Sequence, residues 1–152
     1  MSGWTKNRFN KKALKLFRRD YLDINGNKRD IIQEILDDFK LLKSKGLFEP
    51  TEDRANDQGV PYRFNASHAE KQVAMINGRN VIGVSKNMCE DCQDYFWAKA
   101  KLNNEPQIIA DPSGIHIFTQ DGKQINIMYG KKTIRIVEGV IDPENLEISR
   151  LR

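Results

Sequence analysis

Two short blocks, SHAEKQ at residues 67–72 and KNMCEDCQ at residues 86–93, decide how this chain folds. The second block holds the only two cysteines of the chain, and the first holds one of its two histidines. Between the blocks lies the apolar run 79–85, whose length and β-branched residues predict a buried strand. We expect this strand to carry the chain from one block to the other, with the remaining elements supporting both.

The spacing within the blocks places each at the start of a helix. Cys89 and Cys92 are three residues apart, so their sulfurs lie on one side of a first helical turn, where unpaired backbone amides favour thiolate over thiol. His68 and Glu70 are two residues apart and would point apart in the middle of a helix. We therefore expect a helix to begin at this pair, with Ser67 as its N-cap.

The residue types suit a catalytic zinc site. Such a site takes three protein ligands and leaves the fourth position to water. His68, Cys89 and Cys92 supply three ligands, and Glu70 is placed to carry protons. This pattern is typical of deaminases that act on cytosine or adenine, in which a His/Cys/Cys zinc activates water and a glutamate that is not a ligand moves protons.

Two other interpretations of the cysteines stay open. A redox pair of the thioredoxin kind would explain the spacing of Cys89 and Cys92, but it has no need of His68 and Glu70. A closed structural zinc site needs a fourth protein ligand. The one candidate is the second histidine, His116, which would have to fold back onto the site.

Composition favours one domain over residues 1–152, because this length allows a single sizeable core. The net charge of +4 permits nucleic-acid binding. No apolar run reaches the roughly 18 residues of a membrane span, and the polar, basic start lacks the apolar centre of a signal peptide. Two cysteines this close together exclude a disulfide-rich secreted scaffold. We expect a monomer with no membrane partner.

Residues 1–46 are predicted to form a basic helical extension. Apolar residues at spacings of three and four predict an amphipathic helix from about Lys11 to Tyr21. Its basic side chains form either a solvated face or a track for a phosphate backbone. A turn at residues 25–27 leads to a second helix, residues 29–45, which Gly46 ends.

A polar loop follows at residues 47–65 and closes with a short predicted strand from Tyr62 to Phe64. The helix of the first block is stopped by Asn77 and Gly78, and the helix of the second block ends near Pro106.

The last part of the chain is rich in strands, predicted at residues 107–110, 115–119, 124–129 and 133–140. The turns between the last three make them antiparallel hairpins. Helices that alternate with strands predict an α/β fold, in which helices flank a mixed sheet. The site is expected where the helices of Glu70 and Cys89 begin, near the strand ends.

Four residues around the first block are candidates for binding a nucleobase: Tyr62, Phe64, Asn65 and Ser85. An aromatic ring can stack on a base and an amide can read its edge. The first three can equally pack beneath the loop.

His116 is a further substrate-binding candidate. It alternates with Ile115 and Ile117 in a predicted strand, so its side chain should lie on the opposite face from theirs. We expect that face to be turned toward solvent or toward the mouth of the site, with solvent favoured.

Several blocks together resemble a known family. They are residues 68–71, 86–92, 108–111 and 115–118, with the Asp121-Gly122 turn after them. Block by block they resemble the DYW-type deaminase domain of plant organelle RNA-editing proteins, and equally the bacterial polymorphic-toxin deaminases of the same cytidine deaminase-like superfamily. The resemblance covers about residues 62–123.

The resemblance implies a three-layer deaminase fold, with residues 62–140 as a zinc-binding core. It implies hydrolytic conversion of cytosine to uracil in single-stranded DNA or RNA. It also implies that His68, Cys89 and Cys92 hold Zn²⁺ and that Glu70 is the proton shuttle.

Two departures from the family pattern refine this expectation. Many deaminases have proline before the first cysteine, and Met88 stands there instead, which is expected to loosen the turn. The plant domain ends in a cysteine-rich tail with Asp-Tyr-Trp, and this chain has neither. We therefore expect a toxin or effector domain delivered into the cytoplasm of a target cell, with an immunity protein as partner, or else a cytoplasmic protein. The alternatives are a free cytidine or nucleotide deaminase and a non-enzymatic zinc-stabilised binding module.

Overall fold

The computed structural model describes residues 21–23, 25–78, 80–128, 134–136 and 139–141. Most of the predicted basic helix therefore lies outside the described residues. Its last residue does not: Tyr21 belongs to strand β1 (Tyr21–Leu22), which pairs antiparallel with β2 (Lys28–Arg29). The helix prediction is wrong at Tyr21, because this backbone is extended and paired.

The turn between β1 and β2 is confirmed. Gly26 has a positive φ of 78°. The Asp23 carboxylate accepts hydrogen bonds from the backbone amides of Asn25 at 2.8 Å and Asn27 at 2.9 Å. An aspartate that binds its own following backbone in this way stabilises a tight turn.

Helix α1 (Ile31–Ser44) confirms the second predicted helix. Asp30 caps its start by accepting a hydrogen bond from the amide of Gln33. Gly46, with a φ of 66°, follows its end. One face of α1 lies in the hydrophobic core and carries Ile31, Ile35, Leu36, Phe39 and Leu42.

The polar loop after α1 is built around one buried carboxylate. Asp57 is 3% exposed and accepts hydrogen bonds from the amides of Asp53, Tyr62 and Phe64. The predicted strand from Tyr62 to Phe64 is wrong: Tyr62 has a left-handed φ of 66°, and the one-turn helix α2 (Arg63–Ala66) follows. The side chain of Asp57 takes the amides that a strand would have offered to a neighbour.

Helix α3 (Ala69–Asn77) carries the first block and ends at Gly78, as predicted. The predicted cap is wrong. His68, not Ser67, is the N-cap residue, and the Ser67 hydroxyl donates to the carbonyl of Phe64 at 2.7 Å. The imidazole therefore sits at the first turn of α3.

Helix α4 (Glu90–Asn103) begins directly after Cys89, which is its N-cap residue. It ends at Asn104, whose φ of 52° is left-handed. Both features agree with the predicted start and end of this helix.

A single sheet of six described strands lies beside the helices. In spatial order they are β3 (Val81–Gly83), β4 (Gln107–Asp111), β5 (Gly114–Phe118), β6 (Gln124–Met128), β7 (Ile134–Ile136) and β8 (Gly139–Ile141). β3 pairs parallel with β4, and the other pairs are antiparallel. The predicted α/β class with a mixed sheet and helices is confirmed.

Two strand predictions need correction. Residues 133–140 were predicted as one strand, but β7 and β8 are two strands that pair antiparallel with each other. The run 79–85 was predicted to be a buried strand, but β3 is an edge of the described sheet. Ile82 is buried in the core while Val81 is 57% exposed, because only one side of this strand meets the helices.

The face of the sheet that meets the helices is defined by register. Ile82, Ile109, His116 and Asn126 pair in succession across four strands and so share one face. Ile82 and Ile109 belong to the same hydrophobic core as α1 and α4. No helix in the described part of the chain has the length and apolar character needed to cross a membrane.

Candidate metal centre

His68, Cys89 and Cys92 meet where α3 and α4 begin. Their ligand atoms all lie within 4.8 Å of one another. His68 Nδ1 is 3.3 Å from the sulfur of Cys92 and 3.3 Å from that of Cys89. Two helix starts thus converge on one point, as the spacings of the two blocks predicted.

The donor set fits a catalytic zinc ion. Zinc binds imidazole nitrogen and thiolate sulfur, and catalytic sites use three protein ligands. Among the described residues no fourth ligand joins the group. His116, the fourth ligand considered from the sequence, has its ring nitrogens 3.0 Å from Asp111 and 2.7 Å from Asn126. This arrangement disfavours a closed structural site.

The two thiols are unequal. A hydrogen bond from the Cys92 thiol, with a further contribution from His68, lowers the pKa of Cys89 to about 4. The same bond, together with burial, raises the pKa of Cys92. The sulfurs are not bonded to each other. Because a metal ion binds thiolate, its binding would release the remaining thiol protons.

Glu70 lies beside this cluster as a buried, unpartnered carboxyl. Its side chain is fully buried, and burial raises its pKa, while the nearby His68 lowers it and Cys89 raises it. In the described part of the chain four buried side-chain atoms lack a hydrogen-bond partner, and three of them are Glu70 Oε1, Glu70 Oε2 and His68 Nε2. Buried polar groups are normally paired, so this concentration at one point indicates a functional site.

Residues 1–74 match the family described as single-strand DNA deaminase toxin A, C-terminal. The matched segment includes His68 and Glu70 and stops before the cysteines. Over this segment, which is just under half of the chain, the sequence is similar to that family. No curated protein matches it. The predicted membership of the cytidine deaminase-like superfamily is confirmed, and the resemblance to the DYW-type domain stays a prediction.

The turn before Cys89 is held by Asp111 at the end of β4. One carboxylate oxygen of Asp111 accepts the amide of Met88 at 3.0 Å and lies 3.0 Å from His116 Nε2. The other accepts the amide and the hydroxyl of Ser113. A proline at position 88 would have no N–H to donate. The expectation that Met88 loosens the turn is therefore wrong.

The predicted orientation of His116 is half right. It lies on the opposite face from Ile115 and Ile117, as alternation requires, but it is the face packed against the helices. His116 is 7% exposed, whereas the two isoleucines are only half-buried. The expectation that it faces solvent is wrong, because Asp111 and Asn126 supply buried partners for both ring nitrogens.

Two of the other substrate-binding candidates contact the site. The ring of Phe64 packs edge-on against the ring of His68, with centroids 5.2 Å apart. Asn65 is buried, and its amide nitrogen donates to the carbonyl of Thr51 at 2.9 Å. The backbone carbonyl of Asn65 accepts a hydrogen bond from the ammonium group of Lys71.

Of the remaining two candidates, Tyr62 packs against the hydrophobic core and Ser85 is exposed. Tyr62 is half-buried, and its hydroxyl interacts with Lys43 at the end of α1. Ser85 is exposed just beyond β3. The structure therefore brings Phe64 to His68 and Asn65 to Lys71.

Sequence reasoning missed Lys71 and Asp91, which complete the site. Lys71 is fully buried, and its ammonium group donates to Asp91 Oδ1 at 2.6 Å. The same group lies 3.2 Å from the sulfur of Cys92. A signal was present in the sequence, because Lys71 directly follows Glu70 and Asp91 directly precedes Cys92.

Proposed function

We propose that this chain deaminates cytosine to uracil in single-stranded DNA, with Zn²⁺ held by His68, Cys89 and Cys92 and with Glu70 as the proton carrier. The observation that carries the proposal is the buried carboxyl of Glu70 without a partner, beside three converging ligand atoms. The family description names single-strand DNA, which supports that substrate over RNA. The net charge of +4 favours a phosphate backbone as partner.

His68, Cys89 and Cys92 would hold the zinc ion, which would supply a water of lowered pKa as the nucleophile for the ring carbon that bears the amine. A carboxylate oxygen of Glu70 takes a proton from the attacking water. It gives this proton to the adjacent ring nitrogen. It then moves the proton of the hydroxyl group now on the ring carbon to the amine, so that the C–N bond breaks, ammonia leaves and the carbonyl of uracil remains. Burial suits this role, because a raised pKa lets the carboxyl hold the proton between the two transfers.

The walls of the base pocket are also part of the proposal. A base must be single-stranded or flipped out of its stack to reach such a site. The contact between Phe64 and His68 supports Phe64 as a wall of the pocket. Tyr62 and Ser85 remain proposed contacts to the substrate. Asn65 and His116 have side chains committed to internal partners, which favours supporting roles for both.

The biological setting follows the family description. We propose that the chain is the active part of a toxin delivered into a target cell and that a dedicated immunity protein binds it in the producing cell. The support for this setting is the description of the matching family as a toxin.

The test is a direct search for product. The zinc-loaded protein is incubated separately with single-stranded DNA, duplex DNA, single-stranded RNA, cytidine and adenosine. Uracil and inosine are then measured by mass spectrometry. We expect uracil in single-stranded DNA, and none from a Glu70→Gln variant that carries the same amount of zinc.

Other outcomes separate the alternatives. Product from cytidine alone would indicate a metabolic nucleoside deaminase. Product from RNA alone would leave the chemistry intact and change the substrate. A protein that binds one zinc ion and releases no ammonia from any substrate would be a zinc-stabilised binding module, and the proposal would be wrong.

A further inference from the structure

Lys71 uses all three hydrogens of its ammonium group inside the protein. It donates to Asp91 Oδ1 at 2.6 Å, to the carbonyl of Asn65 at 3.1 Å and to the sulfur of Cys92 at 3.2 Å. The side chain is fully buried. A lysine is almost never buried completely unless it is paired, so these three contacts determine where its charge lies.

The ion pair with Asp91 does not by itself account for this placement. A buried ion pair contributes little net stability, because desolvation offsets the attraction. Helix α4, which carries Asp91, also carries Lys99 and so offers a second ion pair for comparison. The ammonium of Lys99 pairs with Asp38 at 3.0 Å, while its side chain keeps 21% of its surface exposed. Lys71 is instead enclosed at the sulfur of a proposed metal ligand.

Two aromatic rings help to hold the ammonium group there. It lies 5.5 Å from the centre of the Phe39 ring and 5.6 Å from that of Tyr95. Both rings are almost completely buried, and each attracts a cation. The position of the Lys71 charge is therefore set by the core as well as by its hydrogen bonds.

We propose that Lys71 is a positioning residue of the metal centre, donating an N–H···S hydrogen bond to Cys92 that fixes this sulfur and reduces its electron donation to the bound metal ion. The inference rests on the proposed function, since it assumes that Cys92 is a ligand. Groups that hydrogen-bond to metal ligands orient them and tune the metal. Asp91 in turn orients Lys71, and its second oxygen accepts the amide of Thr51 at 3.0 Å.

The proposal is tested by the absorption spectrum of the Co²⁺-loaded protein, which reports the sulfur ligands directly. Without the N–H···S bond the sulfur donates more strongly, so Lys71→Met should move the sulfur-to-cobalt charge-transfer band to lower energy. Lys71→Arg keeps a donor and should restore the band toward its normal position. Turnover of zinc-loaded Lys71→Met should fall by about 10–100-fold.

A second variant should shift the charge-transfer band in the opposite direction, and it provides the test if Lys71→Met does not fold. In Asp91→Asn the lysine loses its carboxylate partner and binds the sulfur more strongly, so the band should move to higher energy. Lys99→Met removes the lysine of the Lys99–Asp38 ion pair, which like Asp91 belongs to helix α4. This matched control should leave the band unchanged.

The outcomes separate this inference from the proposed function. If the unmodified protein binds neither Co²⁺ nor Zn²⁺ through sulfur, the proposed metal site itself fails. If the unmodified protein shows the sulfur-to-cobalt band and Lys71→Met leaves that band in place, Lys71 does not bind the sulfur and this inference alone is overturned. Where Lys71→Met does not fold, an unshifted band in Asp91→Asn has the same meaning.

Discussion

Replacing Glu70 with glutamine should make the metal-free protein more stable while it removes turnover. Both carboxyl oxygens are buried and lack a partner in the described part of the chain. A buried polar group left unsatisfied costs about 1–3 kcal/mol, and more when it is charged. Glutamine keeps the size of the side chain and removes the charge. Because the glutamine amide is equally unpartnered, only the cost of the charge is removed, and the variant should gain about 1.4 kcal/mol in the free energy of unfolding at neutral pH for each pKa unit by which burial raises the pKa of Glu70.

The gain should depend on pH with a definite sign. Burial raises the pKa of Glu70 in the folded protein above its ordinary value of 4.5. Below that ordinary value the carboxyl is protonated in both folded and unfolded chains, and the wild type bears no penalty. As the pH rises through the higher folded pKa, the wild type loses stability that the variant keeps. The two proteins should therefore be nearly equal in acid and differ most at neutral pH.

The assay is urea unfolding of both metal-free proteins at acidic and neutral pH, with turnover measured on the zinc-loaded forms. Turnover should fall by about 10²–10⁴-fold, the usual contribution of a general acid–base group. Glu105→Gln, at an exposed position, is the control and should change neither quantity. Normal turnover by a zinc-bound Glu70→Gln protein would refute the proton-carrier role. Equal stability of the two proteins at neutral pH would refute the conclusion that the Glu70 carboxyl is buried without a partner.

Three further predictions follow from the same geometry. Cys92→Ser should lower the zinc content measured by mass spectrometry to near zero, and chelation of the wild type should abolish turnover until one equivalent of zinc is returned; turnover that survives chelation would exclude a metal mechanism. Asp57→Ala leaves three amides without their acceptor, which should cost about 1–3 kcal/mol in urea unfolding for each amide that stays out of contact with water. Because the loop only places Phe64, KM for an oligonucleotide should rise more than kcat falls, and the reverse split would place Asp57 in the chemistry. Burial alone would raise the pKa of Asp111, but hydrogen bonds from Ser113, His116 and the Met88 amide outweigh it and hold the pKa below 3.8. The stability that Asp111 contributes is therefore present above this ordinary value and lost as pH falls through the lower folded one. Asp111→Asn should flatten that acid loss when unfolding midpoints are compared between about pH 2 and 6; an unchanged acid profile would contradict it.

Much of the site could be predicted because its signals are local. Cys89 and Cys92 are one helical turn apart, so any helix that starts between them brings their sulfurs together. His68 and Glu70 likewise needed only a helix start, and α3 begins there. The exact cap could not be predicted, since Ser67 and His68 compete for that position over a distance of one residue.

Loop geometry was harder to predict. The segment from Tyr62 to Phe64 has the aromatic content of a strand, and nothing nearby in the sequence identifies Asp57 as the acceptor for its amides. That choice depends on burial of the carboxylate, which arises only when the whole loop closes against the core.

By itself the sequence determined which residues share a turn or a strand face, because these relations follow from the 3.6-residue period of a helix and the two-residue period of a strand. It predicted that His116 lies on the opposite face of its strand from the neighbouring isoleucines, and that Cys89 and Cys92 lie on one side of a helical turn. Only the tertiary structure decided which face of β5 would be covered, and so buried His116. It also buried Lys71 against Cys92, because a lysine at a helix start is solvated until a second helix packs over it. Periodicity sorts residues into faces, and burial is decided by packing between elements distant in the chain.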